Sequence, residues 1–309
     1  MDKIICIAGP TASGKTALAV ELAKLTDGEV VSCDSMQVYK RMDIGTAKPT
    51  REEMEGIPHH MLDIAEPEED FSVSRYCEMA TPIVEDILAR GKTAIVAGGT
   101  GLYMDALIRG NDFAPFPSTG MREKLEAQAD AEGMEAMLSL LRSIDPDSAA
   151  RLHLADRKRI IRALEVWYET GETITAHNLR TQSVPPRFDP LWLGLDFADR
   201  KDLYWRVDKR VDIMLEQGLV EEIRALLASG IPEKCTAMQA IGYKEFVAAL
   251  RGEMTVEAAA DEVRKASRHY AKRQLTWFRR NKAMNWVVRQ GSSGEILEQA
   301  RQILRVFDK

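Results

Sequence analysis

The chain has 309 residues, 45% of them hydrophobic, with a formal net charge of −6 and four cysteines. This composition excludes a disordered chain, and the acidic balance argues against a protein that coats nucleic acid without specificity. No run of 18 apolar residues occurs and no charged leader precedes the first apolar run, so neither a membrane span nor export is expected and the cytoplasm is the expected compartment; Cys6, Cys33, Cys77 and Cys235 lie far apart without a CxxC pair, which disfavours a zinc ribbon or a disulfide framework.

Lys3 to Ala8 is a short isoleucine-rich run that predicts a strand, followed by a glycine-containing turn and a segment of helical composition at 17–23. Glu29 to Cys33 and Thr93 to Ala97 predict two further strands, the second running into Gly98-Gly99. Short, nearly all-apolar strands separated by helices require a parallel sheet covered on both faces, so an α/β core is expected. From 112 to 190 the pattern changes to charged, Ala- and Leu-rich helical stretches between Pro115/Pro117 and Pro185-Pro186, which predicts a helical insertion between core segments 1–111 and 191–309. Leu191 to Asp196 predicts a buried strand, and helices are expected at 201–217, 219–228 and 255–282, the last capped by Thr255 with Glu257 in its first turn.

Gly9-Pro10-Thr11-Ala12-Ser13-Gly14-Lys15-Thr16 fits GxxxxGK[ST] and stands between an expected strand and an expected helix. Its backbone N–H groups can curl around phosphate oxygens, the helix N-terminus adds partial positive charge, Lys15 adds a full one, and Thr16 offers a hydroxyl to Mg²⁺. ATP, GTP or a bare diphosphate ester would all satisfy such a loop. Asp34 follows the second strand, where carboxyl ends of parallel strands line a ligand crevice; it could hold Mg²⁺ through water, act as a base, or merely cap a turn.

Between Arg264 and Arg289 there are nine Lys or Arg and no Asp or Glu. Within this segment 265, 268, 272 and 279 share one helical side, expected to meet phosphates, while Val263, Ala266, Tyr270 and Trp277 share another, expected to pack. Trp277, Phe278 and Trp286 are expected in the core rather than as base-stacking platforms. His59-His60 has no partner at metal-ligand spacing and is expected to position a loop instead.

Together with GPTASGKT and DSMQVY, the segments Gly45-Thr46-Ala47-Lys48-Pro49, Pro58 to Asp63, Gly98 to Tyr103, Ile161 to Glu165, Gln239 to Tyr243 and Tyr270 to Phe278 make the chain resemble the tRNA dimethylallyltransferase (tRNA isopentenyltransferase, IPP transferase) family over nearly its whole length. The resemblance implies a P-loop NTPase-like parallel sheet flanked by helices, with a helical insertion gripping the anticodon stem-loop. It implies transfer of a dimethylallyl group from dimethylallyl diphosphate to N6 of the adenosine at tRNA position 37, with release of diphosphate and Mg²⁺ as cofactor. By the same resemblance Asp34 is the general base, Thr11 a hydroxyl near the reacting centre, and Arg210 a catalytic cation. Gly9, Pro10, Thr11, Ala12, Ser13, Gly14, Lys15, Thr16 and Arg210 would bind the donor, Thr16 also the metal. Asp34, Ser35, Met36, Gln37, Thr100, Arg122, Lys158, Arg159, Arg162, Gln239, Gly242, Tyr243, Lys244, Lys272, Arg273, Gln274 and Arg279 would contact tRNA. Where the family pattern has His-Pro-Asn-Asp, this chain has His153-Leu154-Ala155-Asp156. A target adenine buried in its stack would have to be extruded to reach such a loop.

Three rivals share parts of this reading: an adenylate isopentenyltransferase acting on free nucleotides, a P-loop kinase of a small metabolite with Asp34 activating a hydroxyl, and a noncatalytic RNA-binding module. A monomer is expected, since no coiled-coil seam is present.

Overall fold

The computed structural model describes residues 2–110, 119–290 and 293–307. Two compact units result, one formed by Met1–Gly110 with Arg187–Lys309 and the other by Asn111–Pro186.

The first unit is built on β1 (Asp2–Ala8), α1 (Lys15–Thr26), β2 (Gly28–Ser32), α2 (Arg51–Met54), β3 (His59–His60), α3 (Val73–Ala89), β4 (Thr93–Gly98) and α4 (Gly101–Arg109). The second unit is helical: α5 (Met121–Glu132), α6 (Met134–Ile144), α7 (Pro146–Ala149), α8 (Arg157–Thr170) and α9 (Ile174–Ser183). The chain then returns to the first unit with β5 (Phe188–Phe197), α10 (Arg200–Glu216), α11 (Leu219–Ala228), α12 (Tyr243–Leu250), α13 (Val256–Phe278), β6 (Asn285–Arg289) and α14 (Ser293–Phe307).

The six strands form one sheet in the order β3-β2-β4-β1-β5-β6, and every pairing is parallel. Side chains alternate across a strand, and here both alternating sets are apolar. On one face Ile4, Cys6, Val31, Val96 and Trp192 pack with Tyr76, Leu107, Tyr243 and Phe278. On the other face Ile5, Ile7, Val30, Ile95, Leu191, Leu193 and Leu195 pack with Leu18, Leu22, Ile296 and Leu304. The α/β sheet architecture expected from the sequence is therefore present. The insertion has its own core, in which Leu125, Met137, Leu141, Ile160, Ile161 and Leu164 meet.

Several boundaries differ from the expected ones. β5 begins at Phe188, so 187–190 belong to the first unit and not to the insertion. Pro190 is tolerated inside the strand because β6 pairs with β5 only from Leu193 onward, leaving that side of Pro190 without a ladder partner. Pro115 and Pro117 lie outside the described residues. The helix expected to reach 282 ends at Phe278, where Arg280 and Asn281 N–H groups turn back to the carbonyls of Trp277 and Phe278. α3, α4, α12, α14 and the edge strands β3 and β6 were not among the elements expected from periodicity. Thr255 caps α13 as expected, its hydroxyl accepting from the N–H of Ala258.

Candidate functional site

β1 delivers the chain at Ala8 into the glycine loop, and α1 starts at Lys15 with Gly14 at its N-cap. Gly14 has φ 94°, a left-handed conformation that a side chain disfavours, so glycine is required for the helix to start there. No side chain caps α1 and no acid sits in its first turn, which leaves the first N–H groups open to an anion. Lys15 curls back over the loop, its ammonium donating to the carbonyls of Gly9 (3.1 Å) and Pro10 (2.8 Å). Burial, then the nearby Arg210 guanidinium, bring Lys15 down to about 7, with Asp34 acting in the opposite sense.

Among the described residues Lys15, Arg206 and Arg210 form no salt bridge, and Asp34 and Glu53 act on Lys15 and Arg210 through their charge alone. Arg206 and Arg210 stand one turn apart on α10, and Arg206 Nε donates to the carbonyl of Ala12 at 3.0 Å. Burial and then the charge of Arg206 lower the pKa of Arg210; burial and then Arg289 lower that of Arg206. A Cβ placed on Gly14 would lie 3.9 Å from Arg289 Nη2, which locates this third guanidinium at the start of α1. Buried like charges held together are costly unless an anion sits among them, and a diphosphate group meets that need. Arg210 was expected here, whereas Arg206 and Arg289 were not. Arg206 had a legible signal, lying four residues before Arg210 on an expected helix.

Lys15, Arg206 and Arg210 open onto a cavity of about 820 Å³, lined among others by Thr11, Thr16, Asp34, Gln37, Asp43, Glu53, Tyr270 and Arg273. Asp34 reconciles two readings. One carboxylate oxygen caps the following turn, accepting from the N–H groups of Met36 (2.9 Å) and Gln37 (3.4 Å), while the other carries no hydrogen bond among the described residues. Ser35 N–H donates to the Thr100 hydroxyl at 3.0 Å, tying the Asp34 turn to the start of α4. The Tyr270 hydroxyl also meets Thr100, and burial followed by the charge of Asp34 raises its pKa. Tyr270 was expected only to pack; it lines the cavity beside the carboxylate.

Gln274 is 5% exposed. Its Oε1 accepts from Thr11 N–H (2.8 Å) and its Nε2 donates to the carbonyl of Gly99 (3.0 Å), so it clamps the phosphate loop to the β4–α4 turn. A Cβ on Gly99 would stand 2.1 Å from that nitrogen, and one on Gly101 2.3 Å from Trp277 Cδ1. Gly99 and Gly101 thus lack side chains so that Gln274 and Trp277 of α13 can close over the turn. Gln274, expected among RNA contacts, has both its amide oxygen and its amide nitrogen hydrogen-bonded within the chain. Tyr243, also expected among RNA contacts, is fully buried with its hydroxyl donating to Glu222 at 2.7 Å; Gly242 beside it is buried, and Gln239 and Lys244 of that group are exposed.

The acid-free segment is also less free than its composition suggests. Arg264 pairs with Asp212 and Asp261, Lys265 with Glu262, Arg268 with Asp208 and Arg279 with Asp196. Of the expected phosphate stripe, Lys272 alone is exposed without such a pair among the described residues. Asp261 and Glu262 lie on α13 itself just before the acid-free segment, and α10 and the end of β5 bring Asp208, Asp212 and Asp196 against it, which a scan of the segment by itself does not reveal. Arg273 and Arg280 remain exposed, stacked over Tyr270 (5.6 Å) and Trp277 (5.6 Å). Phe278 is core as expected, and Trp277 is half-buried with its indole N–H donating to Asp105.

His59 and His60 form the edge strand β3; His59 lines the cavity with Nδ1 2.9 Å from the carbonyl of Ile57, and His60 Nε2 lies 2.8 Å from Glu29. Within the insertion, Arg122, Lys158, Arg159 and Arg162 share a separate cavity of about 640 Å³ with Arg151. Arg122 and Arg162 both pair with Glu165, and Arg159 pairs with Asp156. The departure at Leu154-Ala155 leaves the turn intact, because Asp156 still accepts from the N–H of His153 at 3.0 Å.

The IPP transferase family model matches residues 37–281. A tRNA dimethylallyltransferase of Acetivibrio thermocellus is 44% identical over 99% of both chains, and one of Thermoanaerobacter sp. is 47% identical over 92% of this chain and 91% of its own. Among solved structures, the tRNA isopentenylpyrophosphate transferase of Bacillus halodurans is 39% identical with a TM-score of 0.72 and full coverage of both chains. A eukaryotic dimethylallyltransferase solved acting on tRNA is 31% identical with a TM-score of 0.85, covering all of this chain and 79% of that one. These structural relatives have a P-loop NTPase-like fold, as expected from the glycine loop and the parallel sheet. Matching sequence, fold and phosphate loop agree, and the chain belongs to the IPP transferase family.

Proposed function

We propose that this chain is a tRNA dimethylallyltransferase, moving a dimethylallyl group from dimethylallyl diphosphate to N6 of adenosine 37 and releasing diphosphate. The observation that carries this reading is the convergence, in one cavity, of three cations that form no salt bridge among the described residues with one half-committed carboxylate, Asp34. Lys15, Arg206 and Arg210 surround the glycine loop, and Asp34 faces the same space with one oxygen fixed and the other open.

As the bond from C1 of the donor to its diphosphate breaks, negative charge grows on the leaving oxygens. The loop N–H groups, Lys15 and the two guanidiniums are preorganised to stabilise it, a contribution commonly worth about 10²–10³-fold per donor. The exocyclic amine of adenine is a poor nucleophile, its lone pair being delocalised into the ring; the open oxygen of Asp34 takes its proton as the new carbon–nitrogen bond forms. The Thr11 hydroxyl lines the same cavity and aligns the amine. Exposed Lys272, Arg273, Arg280 and Lys244, with Arg122, Lys158, Arg159 and Arg162 of the insertion, supply the phosphate-contacting surface for the RNA.

Thr16 lines the cavity at the first turn of α1, and the buried Ser13 hydroxyl of the same loop has no hydrogen-bond partner among the described residues, so the donor set fits Mg²⁺ bound through one hydroxyl and diphosphate oxygens rather than through a protein cage. Bound there, the ion would add charge neutralisation to the leaving group. The expected monomeric, cytoplasmic state belongs to the same reading; no helix among the described residues is long and apolar enough to cross a membrane.

The test incubates purified protein with unmodified tRNA, labelled dimethylallyl diphosphate and Mg²⁺, then digests the RNA. Label on the adenosine beside the anticodon is expected, with Asp34→Asn binding both substrates yet turning over about 10²–10⁴-fold more slowly. Label on free AMP, or phosphate transfer from ATP without prenylation, would overturn the assignment.

A further inference from the structure

One wall of the cavity is the segment 43–50 that follows the Asp34 turn. Its conformation is not one the chain adopts unaided, since Ala47 within it (φ 49°) and Arg41 just before it (φ 63°) are both left-handed without being glycine. Such a segment persists only where other groups hold it. The main holder is remote in sequence: Glu222 on α11, outside the cavity lining. Its Oε2 accepts from the N–H groups of Asp43 (2.8 Å) and Ile44 (2.8 Å), and its Oε1 accepts from Gly45 N–H (3.2 Å) and the Tyr243 hydroxyl (2.7 Å). Three successive backbone donors converge on one carboxylate, a charge-assisted arrangement stronger than three neutral bonds. A Cβ on Gly45 would stand 2.5 Å from the Tyr243 ring, so the glycine lets the wall settle against it.

From there a connected path reaches Asp34. The carbonyls of Thr46 (3.3 Å) and Ala47 (3.1 Å) accept from Gln37 Nε2, Gln37 Oε1 accepts from the Ser32 hydroxyl (2.9 Å), and Gln37 N–H donates to the capped oxygen of Asp34. We propose that Glu222 is a positioning residue for the transfer reaction: it fixes the 43–47 wall and, through Gln37, the turn that aims Asp34. Tyr243 orients the Glu222 carboxylate. This rests on the transfer function proposed above, and it assigns the Gly45 and Tyr243 motifs to holding that wall rather than to touching RNA. Lys48, which bonds to Tyr39, Asp43 and Asp63, secures the far side of the loop.

The experiment compares Glu222→Ala, Glu222→Gln and Tyr243→Phe in the full chain by steady-state kinetics with both substrates, and by amide hydrogen exchange of the unliganded protein. Glu222→Ala is expected to lower kcat by about 10- to 100-fold, the scale of a reacting group displaced by about 1 Å, with KM for tRNA changed less than about threefold. Exchange at 43–47 and at 34–37 should quicken while the sheet amides are unchanged. Glu222→Gln, with one acceptor oxygen in place of two, should fall between Ala and the parent; Tyr243→Phe should resemble the parent within about fivefold. Unchanged exchange at 43–47, or quickened exchange with kcat within about twofold of the parent, overturns the proposal. If Glu222→Ala does not fold, the same readings on Glu222→Gln decide it. A parent that fails to prenylate tRNA would refute the transfer function instead, a result distinct from an unaltered exchange pattern in the variants.

Discussion

Lys15 offers a test of the cation cradle that does not require turnover. With its pKa brought down to about 7 by burial and by Arg210, the ammonium of the unliganded protein is about 90% charged at pH 6 and about 10% charged at pH 8. A bound diphosphate group favours the charged form and returns the pKa upward. Binding at pH 8 should therefore take up about 0.9 proton at this residue, against about 0.1 at pH 6. Because only the charged fraction binds well, affinity should weaken about tenfold from pH 6 to pH 8, or about 1.4 kcal/mol. The direction is the one required for a lysine depressed in the free state: the bound complex loses its advantage as pH rises through 7. Calorimetry of a nonreactive dimethylallyl diphosphate analogue, in buffers of different ionisation enthalpy, measures the uptake directly. Lys15→Met supplies the reference that subtracts protonation of the ligand. Equal uptake by parent and Lys15→Met at pH 8 would refute the claim that Lys15 sits half-charged, waiting for the donor's anion.

Two stability predictions complement the kinetic ones. Glu29, almost wholly buried, pairs with Arg90 and accepts from His60; the Arg90 hydrogen bond chiefly holds its carboxyl down to about 2 from the ordinary 4.5. A depressed carboxylate stabilises the fold above its unfolded pKa and loses that contribution as pH falls from 4.5 towards 2, so Glu29→Gln should cost about 3 kcal/mol at pH 7 and less than half of that at pH 3 by urea unfolding. A cost independent of pH would count against the ion-pair account. Gln274→Ala would leave the Thr11 N–H and the Gly99 carbonyl without their partner, for which about 2–3 kcal/mol of destabilisation is expected, with weakened diphosphate binding as the loop loosens. A variant as stable as the parent would show that water replaces the amide at no cost.

The parts legible in the sequence are those whose physics is local. The glycine loop is eight adjacent residues between an apolar strand and a helix, so its anion-binding geometry follows from backbone freedom and the helix start. The same holds for β1, β2, β4 and the centre of β5, where runs of apolar residues demand burial on both faces. Asp34 could be placed because it follows a strand end. Thr255 could be named as a cap because capping is a matter of three residues.

Tertiary structure alone decided the rest, because the partners are far apart in the chain. Gln274 reaches Thr11 across 263 positions, Arg206 reaches Ala12 across 194, and Glu222 reaches Asp43 across 179. Nothing in the local composition of 264–289 says that Asp208, Asp212 and Asp196 will neutralise Arg268, Arg264 and Arg279, so a segment with no acids of its own looked more available to RNA phosphates than it is. Nor does periodicity separate a tyrosine that fills a core from one that orients a carboxylate, as Tyr243 does both. Side-chain type determined which chemistry was possible; packing determined which of those side chains are still free to perform it.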